Sequence, residues 1–158
     1  MEVGVHRAEF ASEFLHAWRG VKLLLVDPWA KFDGPTGHGD REVDLSIARQ
    51  RMAPFLERAV FLRTTSLLAA RDTPDESLCS VYIDADHSYD HVTEDLRAWW
   101  PKVEPRGVLA GHDFLMHGDD RCGVQQAVIE FAGWRGGVDV YMIVEPLANP
   151  WYFYMVKT

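Results

Sequence analysis

The chain has 158 residues, a length that suits one domain with a buried core. Apolar residues make up 47% and charged residues 25%, so the composition is that of a globular protein and not of a disordered one. The net charge of -8 argues against a basic surface that follows phosphates, and we therefore expect no nucleic-acid partner.

The sequence also predicts no transmembrane segment, no disulfide framework and no zinc cluster. No apolar run is long enough to cross a bilayer, and the N-terminus does not resemble a secretion signal or a targeting leader. The two cysteines, Cys79 and Cys122, are too few for a disulfide framework or a zinc cluster. We expect no membrane partner, reduced thiols and a cytoplasmic location.

Strand-type and helix-type patterns alternate along the chain. Short apolar runs predict strands at 2–5, 22–26, 59–62, 81–83, 107–110, 138–144 and 151–156. Apolar residues three or four positions apart predict helices around 10–20, 45–54, 67–70, 88–100 and 122–134. In the first helix the predicted buried face comprises Phe10, Phe14 and Trp18. The glycine-rich stretch 34–40 is interpreted as a surface loop.

This order predicts an α/β fold of the Rossmann-like, three-layer type. Repeated strand–helix units favour a mainly parallel sheet with helices on both faces. The last two strand-type runs have no helical pattern between them, so we expect a C-terminal antiparallel hairpin in a seven-stranded sheet. We expect residues 1–158 to form a single domain.

Two predicted strands end abruptly in polar residues. The fourth is followed by Asp84, Asp86 and His87, and the fifth by His112 and Asp113. Ligands of open α/β sheets bind just outside the carboxyl ends of the strands. If the two strands are parallel neighbours, these polar residues lie over one crevice.

Several segments together carry a resemblance to a known family. They are Glu2–Val5 with Glu9 and Phe10, Val26–Trp29, Ile83–His87, Pro105–Asp113, and Gly123 with Val124. In this layout the chain resembles class I S-adenosylmethionine-dependent methyltransferases. It is most similar to the small bacterial branch of cation-dependent O-methyltransferases of sugars and other small molecules. The resemblance covers nearly the whole chain and implies a small-molecule acceptor.

Two features depart from the family pattern. The first glycine motif is thin, because Gly4 is followed by His6, Arg7 and Ala8 where relatives have further glycines. The helix that usually precedes the first strand is also missing. A minimal gene, a clipped chain, or a partner subunit that covers the gap in a homo-oligomer would each explain this.

The resemblance implies that the first strands bind the methyl donor. Gly4 allows close approach of the donor's methionine part, since it has no Cβ, and His6 lies beside it. Glu2 is expected to bind the donor's amino group or a backbone amide, with a solvated N-terminal acid as the alternative. Asp27 is expected to accept the ribose hydroxyls, although Asp-Pro is also a common turn opener.

Further donor contacts are predicted at the ends of the next strands. Trp29 would stack on adenine, with packing in the core as the alternative. Thr64 and Ser66 would meet the adenine edge, and a helix N-cap explains them equally well. Asp84 has three alternatives: a donor contact, a helix cap or a metal ligand.

Metal and base residues are the last predicted set. Asp84, His112 and Asp113 are the candidate ligands of Mg²⁺ or another divalent cation, and His112 would suit a softer ion such as Mn²⁺ or Zn²⁺. In the resembling enzymes an acid followed three places on by histidine supplies the general base, which corresponds to His87 here. His117 is the alternative base or ligand.

Two other functions remain open from the sequence. A nicotinamide-dependent oxidoreductase would use a similar sheet, but the three-glycine fingerprint is absent. A degenerate, non-catalytic module that binds S-adenosylmethionine or acts as a scaffold would explain the thin glycine motif.

Overall fold

A computed structural model of the chain describes residues 1–30, 40–114, 122–143 and 151–158. The chain divides into two compact units, Met1–Ala69 and Ala70–Thr158. The predicted loop at 34–39, the alternative base His117 and the predicted hairpin loop 146–150 lie outside the described residues.

The first unit alternates strands and helices as the sequence predicts. Its elements are β1 (Glu2–Val3), α1 (Glu9–Ala17), β2 (Leu23–Val26), α2 (Arg41–Met52) and β3 (Ala59–Leu62). The central strand β2 pairs in parallel with both β1 and β3. All three strands therefore point the same way, and the residues that follow them lie at one edge. The helix α3 (Ser66–Asp72) comes next along the chain.

The core of the first unit differs in detail from the predicted faces. The fully buried residues of α1 are Ala11 and Leu15, while Phe14 packs partly buried beside them. Trp18 lies just beyond the end of the helix and packs, half-buried, against the same core. The guanidinium carbon of Arg58 lies 5.8 Å from the centroid of the Trp18 ring. This is within the range of a cation–π contact.

The second unit contains the remaining strands. Its elements are β4 (Leu78–Ile83), α4 (Tyr89–Trp99), β5 (Val103–Gly111), α5 (Val124–Trp134), β6 (Val140–Ile143) and β7 (Tyr152–Val156). β4 and β5 are parallel, and β7 pairs antiparallel with both β5 and β6. The predicted mainly parallel, seven-stranded α/β fold with an antiparallel C-terminal hairpin is confirmed. The sequence did not indicate that β7 lies between β5 and β6.

The fifth strand, β5, begins earlier than the predicted run 107–110. The strand begins at Val103, and its register against β4 shifts between the pairs Leu78–Val103 and Ser80–Val108. Within this irregular stretch Arg106 has a φ of 68°. A bulge of this kind accommodates extra residues in one strand without ending it, so Pro105 and Gly107 do not separate two elements.

None of the helices in the described ranges combines the length and the hydropathy that crossing a bilayer requires.

A matched pair of glycine variants tests the packing of the second unit. A Cβ at Gly111 would lie 2.6 Å from a ring carbon of Phe153 and 2.7 Å from the Ile83 carbonyl oxygen. Gly111→Ala is therefore expected to lower the free energy of unfolding by about 1–3 kcal/mol. Gly133 in α5 has no described atom within 4 Å of such a Cβ, so Gly133→Ala is expected to raise it by up to about 1 kcal/mol.

Urea denaturation with an unchanged m-value measures both effects. Equal midpoints for the two variants would contradict the close contact at Gly111.

Candidate functional site

The polar residues after β4 and β5 lie close together in the second unit. The two strands are parallel neighbours, with Ile83 opposite Gly111, and the backbone amide of His112 donates to the Ile83 carbonyl at 3.2 Å. Parallel pairing places the carboxyl ends of both strands at one edge. The side chains of Asp84 and Asp113 therefore meet there, as the sequence predicts.

His87 lies between the two carboxylates. Its Nε2 atom is 3.3 Å from Oδ1 of Asp84 and 3.0 Å from Oδ2 of Asp113. His112 is more distant, with Nδ1 3.4 Å from Asp113 and 3.8 Å from Asp84. The arrangement is an acid–histidine–acid cluster with a second imidazole beside it.

Local backbone contacts fix this cluster. The carbonyl of His87 accepts a hydrogen bond from the amide of Gly123 at 2.8 Å, which ties it to the start of α5. A Cβ at Gly123 would lie 2.4 Å from the backbone of Tyr89, so this close approach requires glycine. Asp113 has a φ of 56°, a left-handed conformation that aspartate tolerates better than most residues. Strained backbone of this kind often occurs at functional sites.

The two carboxylates shift the titration of the histidines. The hydrogen bond to Asp84 and the negative charge of Asp113 raise the pKa of His87 above its ordinary value, although burial acts the other way. Burial is the largest single influence on His112 and lowers its pKa, but Asp113 and Asp84 together leave that pKa raised. Burial raises the pKa of Asp113, yet His112 and His87 hold it below the usual range.

A divalent cation finds suitable donors in this cluster. One oxygen from each of Asp84 and Asp113 and one ring nitrogen of His87 lie within 4.8 Å of one another. Carboxylate oxygens suit hard ions such as Mg²⁺, and an imidazole widens the choice to Mn²⁺ or Zn²⁺. The three groups that lie within 4.8 Å include His87, whereas the ligand set predicted from the sequence includes His112. Each imidazole is therefore a candidate third ligand.

In the first unit, the residues after β1 form a tightly bonded turn. Gly4 has a φ of 86°, and its amide donates to the Val26 carbonyl at 2.9 Å. A residue with a Cβ would be strained in this conformation. Glu2 is only 2% exposed, so the alternative of a solvated N-terminal acid is wrong.

Asp27 already accepts hydrogen bonds from three backbone amides. Oδ2 accepts from Val5 at 3.1 Å and from His6 at 2.9 Å, and Oδ1 accepts from Trp29 at 2.7 Å. An ionised carboxylate has about four acceptor positions. Three of these positions are therefore filled in Asp27, and roughly one is open to the ribose hydroxyls predicted from the sequence.

The remaining predicted donor residues of the first unit fall in different environments. Trp29 is 1% exposed and packs in the core, with its Nε1 donating to the His6 carbonyl at 2.8 Å. This placement favours the packing role over adenine stacking. Thr64 and Ser66 are half-buried. The carbonyl of Thr65 accepts from Ala69 at 3.0 Å, so Thr65 directly precedes the first turn of α3.

Sequence reasoning missed the buried acid of α2. Asp44 in α2 is 1% exposed, and its Oδ1 accepts from Nε of Arg7 at 2.8 Å. A signal was present, because Asp44 lies four residues before Ala48 on the predicted apolar face of the helix. An acid on such a face indicates a buried ion pair, although the sequence does not show with which cation.

Comparison with known proteins identifies the family. A family model described as "Methyltransferase domain" matches residues 1–114, which include every predicted site residue that the structure describes. The chain belongs to this methyltransferase family. The match confirms the class of enzyme that the sequence resembles, and it weighs against a nicotinamide-dependent oxidoreductase.

Individual relatives are more distant. An uncharacterized protein, y4gI of Sinorhizobium fredii, is 27% identical over 114 residues, which are 72% of this chain and 12% of that protein. The chain thus spans about an eighth of the length of this curated relative.

Solved structures show the same fold. An O-methyltransferase from Bacillus cereus in complex with SAH has a TM-score of 0.70 at 13% identity, covering 99% of this chain and 72% of that one. The O-methyltransferase TomG from Streptomyces achromogenes, in complex with SAM, has a TM-score of 0.66 at 14% identity, with 99% and 71% covered. At such identities the likeness shows the fold and no more.

Proposed function

We propose that the chain transfers a methyl group from S-adenosylmethionine to a hydroxyl oxygen of a small molecule, with the help of a divalent cation. The observation that carries this proposal is the cluster of Asp84, His87 and Asp113 at the carboxyl ends of two parallel strands. The methyltransferase family match and the fold shared with O-methyltransferases support it.

For the donor, we assign its contacts in the first unit to the turn after β1 and to the residues that follow β2 and β3. Gly4 provides backbone without a Cβ, and Asp27 has capacity for about one ribose hydroxyl. Other donor residues proposed in this unit are Glu2, His6, Thr64 and Ser66. The donor contact of Asp84 stays a prediction from the sequence.

The metal fits the donors that the cluster offers. Asp84 and Asp113 would bind it through carboxylate oxygens, and either His87 or His112 would add a nitrogen. When bound, the ion would supply Lewis-acid polarisation and so lower the pKa of the acceptor hydroxyl.

We propose that the imidazole of His87 takes the proton of that hydroxyl. A base must be neutral before it accepts a proton, and the imidazolium that forms is then stabilised by the neighbouring carboxylates. Asp84 and Asp113 lie 3.3 and 3.0 Å from Nε2 of His87, and in the absence of a cation they raise its pKa, which supports this role. If His87 instead ligates the metal, the base must come from elsewhere, so the assignments to His87 and His112 are alternatives.

The donor assignment is tested by thermal unfolding with different ligands. S-adenosylhomocysteine at a hundred times its Kd is expected to add about 2.7 kcal/mol to the free energy of unfolding. NAD at the same concentration is expected to add nothing. A shift with NAD and none with S-adenosylhomocysteine would overturn the proposal.

The proposed acceptor is a small molecule. The predicted cytoplasmic location and the homo-oligomer stay predictions. The alternative of a non-catalytic module predicts no turnover, so tight binding of S-adenosylmethionine together with turnover would exclude it.

A further inference from the structure

We infer that Asp44 is a positioning residue, which holds the turn of residues 4–8 in the conformation that binds the methyl donor. This inference rests on the proposed function for its donor-binding part. It assigns to a side-chain network the work that additional glycines perform in a glycine-rich motif.

The turn has an unusual backbone. Gly4 has a φ of 86°, but His6 at 50° and Ala8 at 58° are also left-handed. Residues with a Cβ are strained in this region, and only the surrounding structure keeps them there. Positions 6 and 8 are therefore places where glycine would be the unstrained choice.

Backbone atoms of the turn are fixed from several sides. The carboxylate of Asp27 accepts from the amides of Val5 and His6. Nε1 of Trp29 donates to the His6 carbonyl, and Nη1 of Arg51 donates to the Arg7 carbonyl at 2.6 Å. These contacts set the path of the main chain through the turn.

Asp44 fixes the side chain of Arg7 in the same turn by a hydrogen bond and lies close to the side chain of His6. Its Oδ1 accepts from Nε of Arg7 at 2.8 Å, and its Oδ2 lies 3.5 Å from Nε2 of His6. Arg41, one helical turn earlier in α2, lies 3.8 Å from the same oxygen. Asp44 is almost completely buried, whereas the side chains of His6 and Arg7 are more than 40% exposed. Burial therefore holds the Asp44 carboxylate in place. Without it, the exposed side chains of His6 and Arg7 would be freer to change conformation.

The charge of Asp44 is stable in the folded protein. Burial alone would raise its pKa, but Arg7 and His6 hold that pKa below the usual range. The carboxylate also lies in the first turn of α2, where the helix dipole favours negative charge. An ionised anchor is therefore present throughout the neutral pH range.

The affinity for the donor depends on the fraction of the protein whose turn is in the binding-competent conformation. A protein whose competent conformation is only partly populated binds with a Kd raised by the inverse of that fraction. Without Asp44, the strained residues His6 and Ala8 are released from one of their restraints, so the turn leaves the left-handed conformation more often.

The first test measures the turn without any ligand. In Asp44→Asn, NMR hydrogen exchange of the Val5 and His6 amides is expected to be about tenfold faster, because these amides are protected only while the turn is closed. Asp95→Asn removes another buried acid, from α4, and it is expected to leave this exchange unchanged. If Asp44→Asn does not fold, Arg7→Met removes the exposed partner and is expected to give the same result.

The second test measures donor affinity by calorimetric titration with S-adenosylhomocysteine. Asp44→Asn is expected to raise the Kd about tenfold, as the competent fraction falls. Adding Ala8→Gly to this variant is expected to restore most of the affinity, because glycine adopts the left-handed conformation without strain. A loss of stability alone would not be reversed in this way.

The outcomes separate the two claims. Unchanged exchange and unchanged affinity in both Asp44→Asn and Arg7→Met would overturn the role of Asp44. Faster exchange in a protein that never binds S-adenosylhomocysteine would keep Asp44 as the anchor of the turn and overturn the proposed donor site.

Discussion

Replacing His87 with alanine is expected to lower the rate of methyl transfer by a factor of about 10² to 10⁴, the usual contribution of a positioned general base. The affinity for S-adenosylhomocysteine is expected to stay within about twofold, because a base contributes to the rate through proton transfer and not through donor binding. The physical reason is the position of the imidazole, 3.3 Å from Asp84 and 3.0 Å from Asp113.

The measurement is production of S-adenosylhomocysteine from S-adenosylmethionine with a panel of sugar and catechol acceptors, at saturating donor. His91→Ala is the matched control, since His91 lies four residues further along and bonds Ser88 at the surface. It is expected to keep wild-type turnover. Wild-type turnover in His87→Ala would remove His87 from the mechanism.

Asp113→Asn is expected to lower Mn²⁺ affinity by about a hundredfold or more, since even the outer partners of metal ligands are worth 10- to 100-fold. Asparagine tolerates the left-handed backbone of this position, so the variant removes the charge without adding backbone strain. Turnover that depends on the cation is expected to fall with the affinity.

Calorimetric titration with Mn²⁺ measures this effect directly. Asp86→Asn is the control, because Asp86 is exposed and bonds the backbone amide of Ser88. It is expected to bind Mn²⁺ as the wild type does. Equal binding by Asp113→Asn and the wild type would place any cation elsewhere.

The sequence predicted those features that depend on local pattern. Apolar runs located every strand, and the abrupt change to acids and histidine after Ile83 and Gly111 located the cluster. Both signals come from neighbouring residues in the sequence. A buried strand needs consecutive apolar residues, and the residues directly after a strand lie at the edge of the sheet. The pairing of β4 with β5 then followed from the strand–helix–strand order.

Features that depend on distant contacts were not predictable in this way. Trp29 is buried because residues from other elements surround it, and its sequence neighbours left core packing and adenine stacking as alternatives. The partner of Asp44 is Arg7, 37 positions away, and nothing in the spacing connects them. The left-handed backbone of Ala8 has no signal in a residue type that usually avoids this conformation.

The most direct test of the central claim is a crystal structure with S-adenosylhomocysteine and Mn²⁺, with the ion located by its anomalous scattering. We predict one Mn²⁺ at about 2 Å from carboxylate oxygens of both Asp84 and Asp113. An ion bound away from both carboxylates, with His87 still paired between them, would contradict the proposed cation site.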